Sequence, residues 1–235
     1  MMETLRALLY GVSAQRPSHS LFLDGQQLPL EARMGGIFLG FLCALALVAV
    51  LGRLRAAQPP HGALGLACWA LVALTGLDGV NAFLFDGSQP HLYAPNVVLR
   101  LFTGLGAGLG VGLMAIPVVA SVVWSRPVDE ASLEDPIELL GGLALIGLLG
   151  ALVLSGAAAL LWPIAAAMLA GVMVAFGTAN LYVLVLVMRR IRQASTLEEL
   201  RGGLIGSLGL TLLEIGGLAA LRGLLIATYG FSWGV

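Results

Sequence analysis

The chain has 235 residues, 59% of them hydrophobic and only 11% charged, with a formal net charge of −1 and a mean hydropathy of +0.96. Soluble domains carry about 25% charged residues, so this chain cannot coat a water-facing globule and needs lipid as its solvent. It offers no basic field for nucleic acid, and every cationic side chain is arginine.

Residues 1–34 are the least lipid-like part and are expected to form an interfacial or extramembrane segment. Met2 to Val12 has helical apolar spacing. The run Ser13-Ala-Gln-Arg-Pro-Ser-His-Ser20 is polar and turn-rich, and Asp24-Gly25 is a turn signal. The first long apolar run begins near Gly35, behind Glu3, Asp24 and Glu31 and ahead of Arg53 and Arg55. A cleavable signal would carry a short basic leader, so this run is expected to be a retained span.

The roughly twenty-residue criterion gives six spans: Gly35–Leu51, Gly62–Phe85, Pro95–Trp124, Ile137–Leu161, a fifth ending near Met188, and Gly203–Tyr229. Trp162-Pro163 is expected to be the short turn between the fourth and fifth, and Pro117 to kink the third. The expected fold is an all-α polytopic membrane protein: a six-transmembrane-helix bundle over residues 35–235, with a structured N-terminal segment over 1–34.

Arg53, Arg55, Arg126, Arg189, Arg190, Arg192 and Arg201 fall on one side of this arrangement, whereas the loops at 86–94 and 162–163 have none. The positive-inside rule then places both termini outside the cytoplasm. Phe85, Tyr93, Trp162, Tyr229, Phe231 and Trp233 are expected at the outer interface and Trp124 at the inner one. The acidic loop Val128–Asp135 is expected to be solvated, with Ser132 and Asp135 fitting a helix N-terminus.

Gly104, Gly108 and Gly112 recur on one face of the third span, and Gly202–Gly206 and Gly203–Ser207 repeat that spacing in the sixth. Small residues let helix backbones approach, so a compact bundle centred on the third span is expected. Cys43 and Cys68 fall in apolar runs and are expected to be buried thiols.

The ionisable groups inside apolar runs carry the most information. A lipid-exposed charge costs about 2.5–3.5 kcal/mol on insertion scales, so such groups pair or line a cavity. Asp78 and Arg100 are expected at similar depth across a hairpin, Arg222 returns to that level, and Glu31 and Arg33 stand at the mouth of the first span. Asn81 and Thr103 add neutral partners. One outcome is an ion-paired polar core in which Asp78 takes Arg100 or Arg33; the other is an outer cavity for an anionic or polar ligand. Glu214, mid-span in the sixth helix, has Thr178 and Asn180 as possible partners or relay members. His19, His61 and His91 are expected on different faces as solvated loop residues, which excludes a three-histidine site. No metal-ligand spacing, nucleotide loop or nucleophile elbow is present, and no cofactor is expected.

The elements Ser13–Ser20, Gln27–Gly40, Leu77-Asp-Gly79 and Asn96-Val-Val-Leu-Arg-Leu-Phe-Thr-Gly104 resemble an uncharacterised family of small prokaryotic membrane proteins. Its members carry Cys-His-Gln-Arg-Pro-x-Arg-Ser, then Pro-x-Cys-Ala-Arg-Cys-x-Gly. The resemblance spans roughly residues 12–112 and implies a bacterial or archaeal cell-membrane protein. The family's three cysteines, which suggest a metal or redox site, fall here on Ser13, Glu31 and Met34, and its histidine on Ala14. Arg16, Arg33, Asp78, Asn96, Arg100 and Thr103 keep the family's polar framework.

Short loops and abundant glycine packing favour a non-enzymatic accessory or scaffold subunit, with membrane lipids and other membrane proteins as partners. A small transporter or channel using Glu214 and Asn180 is the alternative. A membrane enzyme or receptor for a lipid or quinone head group, with Asp78 as acid/base, comes third.

Overall fold

The computed structural model describes residues 1–230, so the aromatic positions Phe231 and Trp233 lie outside the described residues. In chain order come α1 (Met2–Leu8), β1 (Ser20–Leu23), β2 (Gln26–Glu31), α2 (Ala32–Val50), β3 (Ala56–Gln58), α3 (Gly62–Asp86), α4 (Val97–Val123), β4 (Val128–Ala131), α5 (Pro136–Leu154), α6 (Leu161–Val187) and α7 (Leu197–Tyr229). The six helices α2 to α7 are each long and apolar enough to cross a membrane.

The bundle is built on α4. Its glycines lie on two faces, one more than the spacing of Gly104, Gly108 and Gly112 announces. A Cβ on any of these three would strike α2: the Arg33 carbonyl, the Ile37 carbonyl or the Ala44 methyl. A Cβ on Gly110 would come within 2.5 Å of the Cys68 carbonyl oxygen in α3, and one on Gly106 within 3.3 Å of Leu71. From the other side, Gly36 and Gly40 of α2 lie against the Leu101 and Leu105 carbonyls of α4. Backbone therefore meets backbone along α2–α4, where lipid gives side chains no hydrophobic drive to associate. Both cysteines are buried and free.

Pro117 leaves the Leu113 carbonyl without its helical donor. Ser132, which is 0% exposed, donates its hydroxyl to that carbonyl at 2.8 Å. Ser132 is therefore not the cap of α5. Asp135 caps it, in a reciprocal box with Glu138. The acidic loop is also not free in solvent: β4 pairs in parallel with β3, and Glu138 and Glu134 hold Arg53 at 2.7 and 3.2 Å. The Glu138 contact raises the Arg53 pKa above its ordinary value. Arg55 stacks over Trp124 at 4.5 Å, so the loops at this end form one plug.

The turn between α5 and α6 is not at Trp162-Pro163. Helix α5 stops at Leu154, Gly156 takes φ +68°, and Pro163 sits in the first turn of α6. No helical N–H is needed there, so proline fits without breaking the helix. The small residues of α7 also differ from expectation. Gly203 and Gly206 face leucine side chains of α6, and Gly202 faces open space.

At the other end, residues 1–31 form a cap. Asp24 and Gly25, at φ +49° and +69°, make the two-residue turn between antiparallel β1 and β2. Leu23, Leu28 and Leu30 go inward, and a Cβ on Gly11 would lie 2.5 Å from the backbone of α7.

Candidate functional site

The polar groups of the cap end come from the N-terminal segment, α2, α3, α4 and α7. Asp78, only 1% exposed in the middle of α3, is the centre. Arg33, in the first turn of α2, donates through Nε to its Oδ2 at 3.2 Å and through Nη2 to both that oxygen and the Asp78 backbone carbonyl. Tyr93 donates its hydroxyl to Oδ1 at 2.7 Å. The Thr103 hydroxyl is 3.5 Å from Oδ2 but closer to its own Leu99 carbonyl, at 2.9 Å. Burial, then the bond to the Asp78 carboxylate, pushes the Tyr93 phenol up to about 12.

Asn81, one turn beyond Asp78, fixes the loop that brings Tyr93 back. Its side chain accepts from the Leu92 and Tyr93 N–H groups and donates to the Tyr93 carbonyl at 2.9 Å. Asn96 caps α4 by accepting from the Leu99 N–H at 2.7 Å. Nothing in the sequence ties Tyr93 to Asp78; only the loop geometry does.

A second centre lies beside the first. Glu31 accepts from the Arg16 backbone N–H at 2.9 Å and from its Nε at 3.2 Å. Arg16 also reaches Asp86, at the end of α3, at 3.3 Å. His19 lies between the two carboxylates, 3.9 Å from Glu31 and 3.6 Å from Asp86. It is buried rather than solvated, because the turn at Pro17–His19 tucks it under the cap. Burial, then the charges of Arg100 and Arg16, lowers its pKa from 6.5.

Arg222 does not join the carboxylates. It donates to the backbone carbonyls of Tyr10 and Ser13 at 2.6 Å and Ala14 at 3.0 Å, and stacks over the Tyr10 ring. It ties the cap to α7. Sequence reading lacks any signal for this, since a backbone carbonyl has no residue identity.

Arg100 is brought near Asp78 but does not pair with it. It is 5% exposed, lies within electrostatic reach of Arg33, Asp86, Arg16 and Asp78, and belongs to no ion pair among the described residues. Further down the bundle, Glu214 accepts from Asn180 at 2.7 Å, and the same amide reaches Thr211 at 3.1 Å. Thr178 bonds its own helix at Val174 instead. Thr211 takes the place expected for Thr178. A cavity of about 550 Å³ opens at the opposite end, between α6 and α7, walled by Leu181, Leu184 and Met188 with Arg190 at its edge.

Ser13 and Glu31 meet as well: the Glu31 N–H donates to the Ser13 hydroxyl at 3.1 Å. Two of the positions where the resembled family carries cysteine are thus neighbours across the cap. Here a hydroxyl and a carboxylate stand in them, and among the described residues no cluster fit to hold a metal is present.

Residues 13–114 match the family model of a predicted membrane protein, DUF2085. That segment runs from the cap through most of α4 and includes Glu31, Arg33, Asp78 and Arg100, whereas Glu214 and Arg222 lie beyond the DUF2085 match. No curated protein and no solved structure matches the chain.

Proposed function

We propose that this protein is a non-enzymatic accessory or scaffold subunit of a larger membrane assembly, with the cap on the exoplasmic side. The observation that carries this reading is the use made of the intramembrane polar groups. Asp78 is taken by Arg33 and Tyr93, Arg222 by backbone carbonyls, and Glu214 by Asn180. These contacts hold helices and cap together, which is what a structural role asks of them. Helix α7 meanwhile leans on α6 by one face. Its Gly202, Gly209, Gly216 and Gly223, seven residues apart, have nothing within 4 Å of where a Cβ would stand. A seven-residue repeat of glycine suits close left-handed packing against a helix of another membrane protein.

The test is purification from native membranes in mild detergent, comparing wild type with Gly209→Leu/Gly216→Leu. The reading predicts stoichiometric membrane-protein partners that the double variant loses while remaining folded. A monodisperse, partner-free wild type contradicts it.

A second reading, a transporter or channel, draws on the Glu214–Asn180–Thr211 cluster, because intramembrane carboxyls commonly mark ion paths. Proton or cation flux into proteoliposomes that is abolished by Glu214→Gln would favour it over the subunit reading.

A further inference from the structure

Arg100 is a cation of the cap end that takes no part in the Arg33–Asp78 pair. It stands on the first turn of α4, is 5% exposed, and its guanidinium forms no hydrogen bond or ion pair with any described residue. Its neighbours are all engaged elsewhere. Arg33 takes Asp78, Arg16 takes Glu31, and Asp86 is shared between Arg16 and His19. His19 is buried within electrostatic reach of Arg100, and its Nδ1 has no hydrogen-bond partner, with the Glu31 carboxylate 3.9 Å away. A guanidinium has five donors and cannot give up its proton, so one that is unpaired and keeps only a small opening to solvent favours an incoming acceptor.

We propose that Arg100 and His19 hold a phosphate oxyanion at the cap end, presented as a phosphodiester head group of a membrane lipid or as free inorganic phosphate. Three features of the cap end favour an anion over a neutral ligand. The unpaired charge is positive. The first N–H groups of α4 lie at this end of the bundle, where the Asn96 side chain satisfies that of Leu99. Arg16 and Arg33 also lie within electrostatic reach, each paired with a carboxylate of its own. Asp86, 36% exposed beside His19, disfavours a doubly charged guest and selects the singly charged form. Arg100 lies about one helical turn below the start of α4, the level of lipid head groups.

The experiment uses the full chain, delipidated in maltoside detergent. Thermal unfolding and native mass spectrometry follow titration with inorganic phosphate, phosphatidylglycerol, or uncharged diacylglycerol. The proposal predicts that phosphate, phosphatidylglycerol or both raise the midpoint and are retained, while diacylglycerol does neither. A response to phosphate alone names the free ion as the source, and a response to phosphatidylglycerol alone names the lipid. Arg100→Gln should weaken that binding about tenfold or more, His19→Gln should weaken it too, and Arg126→Gln, at the opposite end, should leave it unchanged. The ligand-free Arg100→Gln protein should be no less stable than wild type, since no internal bond is lost. Equal responses in wild type and both cap variants, or no response in wild type, would overturn the proposal. So would an Arg100→Gln loss of stability matching that of Arg33→Gln, because it would reveal an internal partner. If Arg100→Gln does not fold, the His19→Gln titration decides.

Discussion

Arg33 holds Asp78 at both its carboxylate, through Nε and Nη2, and its backbone carbonyl, through Nη2, and so joins the first turn of α2 to α3. Both charges lie in helices that cross the bundle, and the aspartate is almost wholly sealed. Breaking such a buried pair from one side strands the remaining charge, at a cost of about 3–5 kcal/mol. Asp78→Ala is therefore expected to reduce the yield of folded protein sharply, measured by size-exclusion profile and thermal unfolding in detergent. Normal yield and midpoint would show that Arg33 finds water instead.

Glycine positions in α4 and α5 should respond in opposite ways to the same substitution. Gly108→Ala drives a methyl into the Ile37 backbone carbonyl, which cannot rotate away, and is expected to cost about 1–3 kcal/mol. Gly147 has nothing within 4 Å of a Cβ, so Gly147→Ala is expected to stabilise by up to about 1 kcal/mol through helix propensity alone. Thermal midpoints of the two variants check both signs.

Ser132 and Pro117 form a compensating pair around one carbonyl. Ser132→Ala leaves the buried Leu113 oxygen without a donor, an expected loss of about 1–3 kcal/mol. Adding Pro117→Ala restores the helical N–H to that oxygen and should recover most of the loss. A double variant as unstable as the single would mean that the hydroxyl serves some other acceptor.

His19 gives the cap a pH dependence of defined sign. Its pKa lies below 6.5 in the folded state, because burial and the cations Arg100 and Arg16 outweigh Glu31 and Asp86. The unfolded chain then takes up the proton first. This contribution to stability is complete above pH 6.5 and is lost as pH falls through the lower folded value. The melting midpoint of wild type should drop between neutral and mildly acidic pH more steeply than that of His19→Gln. Parallel curves would show that the imidazole keeps its proton affinity on folding.

The spans were legible because length and hydropathy alone set them, and α4 was legible as the centre from the spacing of its glycines. Other features depend on contacts that no residue type declares. Arg222 binds backbone carbonyls, Ser132 answers a proline fifteen positions upstream, and Tyr93 reaches Asp78 only because Asn81 holds the loop. Pro163 misled for a physical reason: proline suits a helix start as well as a turn, and Gly156 in the left-handed region marks the actual break. The clasp itself was half visible. Asp78 had two arginines within plausible reach, and the choice of Arg33 follows from the close α2–α4 glycine contact that brings the start of α2 over α3.

The central claim is that Arg33 and Asp78 act as one unit holding the bundle closed under its cap. A double-mutant cycle of Arg33→Gln, Asp78→Asn and the pair, read as unfolding free energy in detergent, tests it most directly. The double variant is expected to lose less than the summed single losses, by about 1–3 kcal/mol. Losses that add to within about 0.5 kcal/mol would contradict it.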